Sequence, residues 1–251
     1  MSEFLGMPAP RARARARSGA PVVDLDAEAA RLRSGREPYV LATVVRARRP
    51  ASAKAGDRAL VLPDGTIEGF VGGVCAVDTV RAQSLRLMRT GEATLLRITP
   101  EADAPHEEEG LVAVGQPCLS GGTLEIFLEA VLPPVLIHVY GDSPIARALA
   151  SVGTALGYQV EPATGPPAEI AADTSAVLVA SHGVGEEPVL QAALAGNVPY
   201  IGLIASRRRG AAVLAQVEGG ERVHVPAGLD IGARTPGEVA VSVYAEIIRL
   251  R

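Results

Sequence analysis

Two cysteines sit in glycine-rich segments, and their neighbours give each thiol a chemical opportunity. Gly72-Gly73-Val74-Cys75 follows an apolar run and opens a stretch of helical periodicity, so it places Cys75 at the start of a helix. There the unsatisfied N–H groups and the helix dipole stabilise a thiolate and make the sulfur a better nucleophile or soft-metal ligand. Cys118 lies in Gly115-Gln116-Pro117-Cys118-Leu119-Ser120-Gly121-Gly122, a turn-rich segment that leads into the strand pattern Thr123 to Glu129. Gly72, Gly73, Gly121 and Gly122 allow backbone to approach a ligand closely. Thiolates accept molybdenum or copper and pass persulfide sulfur between one another, which makes Cys75 and Cys118 candidate catalytic and metal-ligating residues. A lone cysteine is as often a small buried hydrophobe, and the residues alone leave both readings open.

Further along, Gly141-Asp142-Ser143-Pro144 stands between an apolar strand pattern and a helix, the position at which a dinucleotide fold turns around a phosphate. The second glycine of that fingerprint is replaced by Ser143, and the ribose-binding acid expected after the next strand is absent: Thr164 follows, with Glu161 too early. Gly141 and Ser143 remain candidate cofactor contacts, but tight binding of NAD or NADP is not expected. His182 follows an apolar strand end, where ligands of open α/β sheets gather. Ser206-Arg207-Arg208-Arg209 joins a helix cap to guanidinium groups able to hold a phosphate, although three consecutive arginines cannot all face one ligand. By contrast, His106 and His224 show no convergent partners, His138 reads as structural, and Asp230 reads as a backbone-fixing residue. ATPase, zincin and standard hydrolase motifs are missing.

The elements that must position these residues fall into two groups. A cap at Asp24, a strand from Tyr39 to Val45, a hairpin around Pro63-Asp64-Gly65-Thr66 and a helix from Val74 to a C-cap at Gly91 come first, with strands near Ala93 to Ile98 and Thr123 to Leu128. Between those last strands, the acidic stretch from Glu101 to Glu109 reads as a solvated loop. Pro133-Pro134 breaks the pattern, and beyond it strands and helices alternate, which implies a parallel sheet covered on both faces. The predicted fold class is therefore α/β: a mixed α+β N-terminal domain over 22–132, then a Rossmann-like domain over 133–251, preceded by a disordered arm over 1–21. The closing helix carries Thr235 as N-cap, Pro236 in the first turn and Glu238 to complete a capping box.

With 251 residues, 48% hydrophobic but only 3% aromatic, the chain is long enough for two aliphatic cores. A net charge of −4 removes the broad basic face that nucleic-acid binding requires. Two cysteines argue against a disulfide scaffold and for a reducing cytoplasm. No run reaches membrane-spanning length, and the Arg-Ala start lacks the apolar region of a secretory signal.

The segments Gly-Phe-Val-Gly-Gly-Val-Cys, ending at Cys75, and Pro-Cys-Leu-Ser-Gly-Gly-Thr-Leu-Glu-Ile-Phe-Leu-Glu, from Pro117, resemble the glycine-cysteine motifs of the XdhC/CoxI family. Leu41 to Val45, Tyr200 to Arg208, and Gly228 to Ala233 followed by Thr235-Pro236 resemble its other signatures, so the resemblance runs from about Val23 to Arg251. It implies a cytoplasmic maturation factor, a chaperone more than a metabolic enzyme, that binds molybdenum cofactor in a cleft between its domains. Its implied partner is a molybdenum hydroxylase client such as xanthine dehydrogenase or aerobic carbon monoxide dehydrogenase, whose branch the cysteine motifs match more closely. A sulfur donor protein is a further implied partner, and a homo-oligomer is compatible with the pattern. The alternative is an NAD(P)-dependent oxidoreductase using the Gly141 turn. Departures from the family pattern are Val74 between glycine and Cys75, Asp78 as the nearest acid, and Ser181-His182-Gly183 after a strand of the second domain.

Overall fold

A computed structural model describes residues 24–100, 106–115, 122–165 and 170–250. The chain divides into two compact units, one ending at Pro133 and the other beginning at Pro134.

The first unit runs α1 (Leu25–Ser34), β1 (Tyr39–Arg48), β2 (Arg58–Val61), β3 (Ile67–Gly69), α2 (Val74–Thr90), β4 (Ala93–Thr99), β5 (His106–Glu108), β6 (Leu111–Gly115) and β7 (Thr123–Val131). Its strands form one sheet in the order β3-β2-β1-β7-β4-β6-β5, antiparallel except for the β4–β6 pair. Alternation decides which face is buried: Val40, Ala42 and Val44 of β1 and Leu124, Ile126 and Leu128 of β7 pack with Ala76, Val80 and Leu87 of α2. A smaller cluster of Ala29, Leu32, Tyr39 and Leu60 seats α1. Asp24 caps that helix by accepting from the amides of Asp26 and Ala27, and Gly91 ends α2 in the left-handed conformation. The structure corrects the solvated-loop reading of the acidic stretch. His106–Glu108 form an exposed edge strand paired antiparallel to β6, because Leu111–Gly115 offers β-branched residues whose ladder needs a partner. Residues 101–105 of that stretch lie outside the described residues.

The second unit continues β8 (Leu136–Tyr140), α3 (Pro144–Ala155), β9 (Gln159–Ala163), β10 (Thr174–Val179), α4 (Glu186–Ala195), β11 (Tyr200–Leu203), α5 (Arg207–Leu214), β12 (Val223–His224) and α6 (Pro236–Arg249). All five strands are parallel, in the order β12-β11-β10-β8-β9, so the fold class is the Rossmann-like α/β arrangement expected from the alternation. Ile137, Val139, Ala176 and Leu178 face α3 and α6, while Val177, Val179, Ile201 and Leu203 face the opposite way with Val189 and Leu190 of α4. Because β9 and β10 flank β8 on opposite sides, connections diverge at the carboxyl end of β8, the place where such sheets open a crevice. Where α3 meets α6, Tyr244 donates to the carbonyl of Leu149 at 2.8 Å, and any β-carbon at Gly153 would collide with the Tyr244 hydroxyl. Among the described residues, no helix is long and apolar enough to cross a membrane.

Candidate functional site

Cys75 is the second residue of α2 and is half-buried, next to a Val74 that is 73% exposed. The N-cap is Gly73, which has no side chain to cap the helix. The thiol thus sits at the positive end of the helix, which favours the thiolate. Gly72, buried at φ +136°, is glycine for a packing reason: a β-carbon there would lie 3.0 Å from Ala76 and 3.1 Å from Leu124. Gly122 is equally constrained, since a β-carbon would run into the backbone carbonyl of Pro50. The turn before α2 therefore rests on the first residues of β7, and two motifs far apart in sequence become neighbours within one unit. Cys118 and Gly121 lie outside the described residues.

In the second unit, a cavity of about 670 Å³ opens beyond the carboxyl ends of the strands, and His182, Ser206 and Arg207 line it together. His182 is exposed at φ +56°, in the turn between β10 and α4. Ser206 caps α5 by accepting from the Arg209 amide at 3.3 Å. Arg207 is exposed and makes no ion pair among the described residues, whereas Arg208 does not line the cavity. Arg209 does line it but is committed inward: its guanidinium donates to Glu186 at 2.6 and 2.8 Å and to the Ile204 carbonyl at 2.7 Å. Glu186, 1% exposed, also accepts from the Gly183 amide at 2.9 Å and from the Ser181 hydroxyl at 3.3 Å. One buried carboxylate thereby ties the His182 turn to the start of α5, two sides of the same cavity.

A further stretch of the lining, Pro226 to Ile231, is fastened by backbone amides. Ala227 donates to the Leu203 carbonyl at 3.1 Å, Gly228 to the Glu246 carboxylate at 2.8 Å and Leu229 to the Ser242 carbonyl at 3.1 Å. Glu246 also accepts from the Tyr200 hydroxyl at 2.6 Å and lies 3.4 Å from Nδ1 of His224, whose ring stacks on Tyr200 at 4.5 Å. Burial pushes the Glu246 carboxyl up, but the Tyr200, Gly228 and His224 contacts together hold it below the usual carboxylate range. Burial, followed by this same bond to Glu246, drives the Tyr200 phenol well above its ordinary value.

Several sequence readings change here. His224 does have convergent partners, brought together from segments that periodicity cannot relate, and His106 pairs with Glu108 at 2.7 Å, two residues along the same strand face that a loop reading could not anticipate. Asp230 fixes no backbone through its side chain; it is exposed and lines the cavity. The Glu186–Arg209 pair and the Glu246 anchor were not legible in the sequence, because neither a helix-start acid nor a mid-helix glutamate signals a buried partner.

The Gly141 turn belongs elsewhere. A β-carbon on Gly141 would lie 2.5 Å from the Ala180 carbonyl, so the glycine lets this turn pack on the exit of β10. Ser143 is buried and spends its hydroxyl on the Ala146 amide at 3.0 Å. Gly141 lines a separate cavity of about 260 Å³ with Arg147 and Thr164 at its edge. Among the described residues, no group of three or more His, Cys, Asp or Glu is placed to hold a metal ion.

A model of the XdhC and CoxI family matches residues 32–99, and a model of the XdhC Rossmann domain matches residues 137–247. The chain belongs to the XdhC and CoxI family. It is 28% identical over 258 residues to the uncharacterized protein YqeB of Escherichia coli (strain K12), covering 89% of this chain and 46% of that protein. The chain thus spans about half the length of that relative. Similarity to the molybdenum cofactor insertion chaperone PaoD, also of Escherichia coli, is 27% identity over 265 residues, 84% of this chain and 83% of that one. A shorter match, 36% over 77 residues, covers 31% of the chain and 23% of a probable xanthine dehydrogenase component from Bacillus subtilis (strain 168). Both halves of this XdhC and CoxI chain therefore carry a recognisable family domain, and each contributes one of the two residue groups described above.

Proposed function

We propose that the protein binds molybdenum cofactor as cargo and assists its insertion into a molybdenum hydroxylase, such as aerobic carbon monoxide dehydrogenase or xanthine dehydrogenase. The observation that carries this reading is the 670 Å³ cavity in which His182, Ser206 and an ion-pair-free Arg207 converge, in a chain similar over most of its length to a molybdenum cofactor insertion chaperone. The donor set fits the cargo. The pterin carries a phosphate, which the Arg207 guanidinium and the first amides of α5 can hold by charge-assisted bonds. Ile145, Ile231 and Val239 supply apolar surface for a flat ring.

For the first unit, taken by itself, the proposed chemistry is that of sulfur. Cys75, at the start of α2, is the coordinating or sulfur-accepting thiolate in this proposal, with Cys118 as its partner. Of the flanking glycines proposed as contacts, Gly73 has room around it, whereas Gly72 and Gly122 serve the packing that sets the turn in place. The client hydroxylase and a sulfur donor protein are the proposed partners. The test is mass spectrometry of small molecules released from protein purified beside its client: a phosphorylated pterin is expected, and its absence from freshly purified complex overturns the proposal.

An NAD(P)-dependent oxidoreductase is the rival reading. Ser143 spends its hydroxyl capping α3, and the turn's own Asp142 pairs with Arg147 at 2.8 Å beside the smaller cavity. The guanidinium there is already engaged by a carboxylate, so NAD and NADP are expected to bind weakly. Calorimetric titration showing micromolar affinity for either would reverse that conclusion.

A further inference from the structure

The cavity of the second unit carries two opposite charges that do not meet. Arg207 and Asp230 both line it, both are exposed, and neither forms a side-chain hydrogen bond or ion pair among the described residues. Asp230 is not there by looseness of the chain. The three residues before it are fixed one after another, each amide to a different element: Ala227 to the end of β11, Gly228 to the Glu246 carboxylate, Leu229 to the α6 backbone. Gly228, at φ +102°, could carry no side chain, since a β-carbon would collide with the Ser242 hydroxyl. A wall fastened this firmly presents the next residue in a set place.

Those bonds also decide what the wall can offer. The amides of 227–229 are consumed inside the protein, so a ligand reaching this side finds a carboxylate and none of these three donors. The lining at Ser206 and Arg207 offers a guanidinium and the start of α5. A matching ligand bears an anion at one end and hydrogen-bond donors at the other. A pterin phosphate has that polarity: its 2-amino-4-oxo pyrimidine edge presents an exocyclic N–H beside a ring N–H, spaced to meet the two oxygens of one carboxylate, as a guanidinium fork does.

Resting on the cofactor-carrying reading above, we infer that Asp230 is the specificity-determining residue of this cavity, accepting the paired N–H donors of the pterin edge while Arg207 holds the phosphate, and that Glu246 positions it through Gly228. A ligand with oxygen in place of the 2-amino group turns an acceptor toward the carboxylate and is disfavoured, since it forfeits a charge-assisted bond.

Calorimetry on the full-length protein with 6-hydroxymethylpterin phosphate and its 2,4-dioxo (lumazine) counterpart tests this directly. The wild-type protein is expected to favour the pterin by roughly tenfold or more, the worth of one hydrogen bond to a charged group. Asp230→Asn should bring the two ligands within about twofold of each other, Asp230→Glu should restore part of the preference, and thermal melting should be unchanged in both. Glu246→Gln should weaken the preference and speed hydrogen exchange at the Gly228 amide, while leaving the response to inorganic phosphate intact. Equal wild-type affinity for the two ligands, a preference that survives in Asp230→Asn, or no binding of either ligand overturns the inference. If phosphorylated pterin still copurifies with the wild-type protein in those cases, the cargo reading stands and only the role of Asp230 falls.

Discussion

The two units bury different things. In the first, the core is aliphatic and its buried polar residues are Ser84 and Thr94; in the second, two carboxylates, Glu186 and Glu246, go inside. A buried charge is costly unless its partners are well placed, and replacing such a pair by apolar groups is often neutral or stabilising. Its presence therefore points to geometry more than to stability, and in this protein both carboxylates fasten walls of one cavity. The first unit has no such device among the described residues. It holds its thiol by close backbone packing at Gly72 and Gly122 instead. In the function proposed above, one unit would supply sulfur chemistry and the other a polar enclosure for an anion.

The sharpest way to break this division of labour is to remove the sulfur. Cys75→Ser with Cys118→Ser keeps approximate volume but loses soft-ligand and persulfide chemistry, so the fold should persist while the client accumulates without a competent metal centre. Normal metal, sulfide and activity in that client would make the thiols structural.

Removing a counter-ion in the second unit should cost stability instead. Arg209→Ala leaves Glu186 buried without its guanidinium and is expected to lower unfolding free energy by about 3–5 kcal/mol in urea titration. Arg208→Ala, outside the cavity, should stay within about 0.5 kcal/mol of wild type. Equal effects would mean that the pair is not what separates these neighbours.

Arg207→Ala probes the anion end alone. Affinity for a pterin phosphate should fall about tenfold at low salt, with the difference shrinking as salt rises, and stability should not change. An affinity unaltered at low salt would return Arg207 to the solvated surface.

The Glu246 anchor predicts an acid limb. Because its carboxyl is held below the usual range in the folded state, its contribution is fully present above the unfolded carboxylate pKa and is lost as pH falls through the lowered folded value. Tyr200→Phe removes the shortest of its bonds and should flatten that limb in urea unfolding followed from neutral to acidic pH. A modest effect is expected at the α6 start, where Thr235→Ala removes the cap bond to the Glu238 amide at a cost of about 1 kcal/mol, checked by thermal melting.

Much of the molecule was written in local pattern. The cap at Asp24, the left-handed Gly91, the turn at Asp64-Gly65 and the Thr235–Glu238 capping box all involve residues within a few positions, so their spacing alone implied them. Strand and helix alternation after Pro134 likewise specified a parallel sheet, because a helix between two strands supplies the long crossover that parallel pairing needs. The glycine-cysteine and Ser206-Arg207 segments marked candidate chemistry by residue type. Tertiary structure alone decided which of these candidates share a space. Arg209 meets Glu186 across 23 positions and Tyr200 meets Glu246 across 46, distances at which periodicity carries no information about partners. The same is true of Asp230, whose place in the cavity follows from three amide bonds to a strand end, a carboxylate and a helix, none of them near it in the chain. Sequence set the local conformations because their energies are local; the cavity was settled by contacts that form only once the sheet has brought distant segments together.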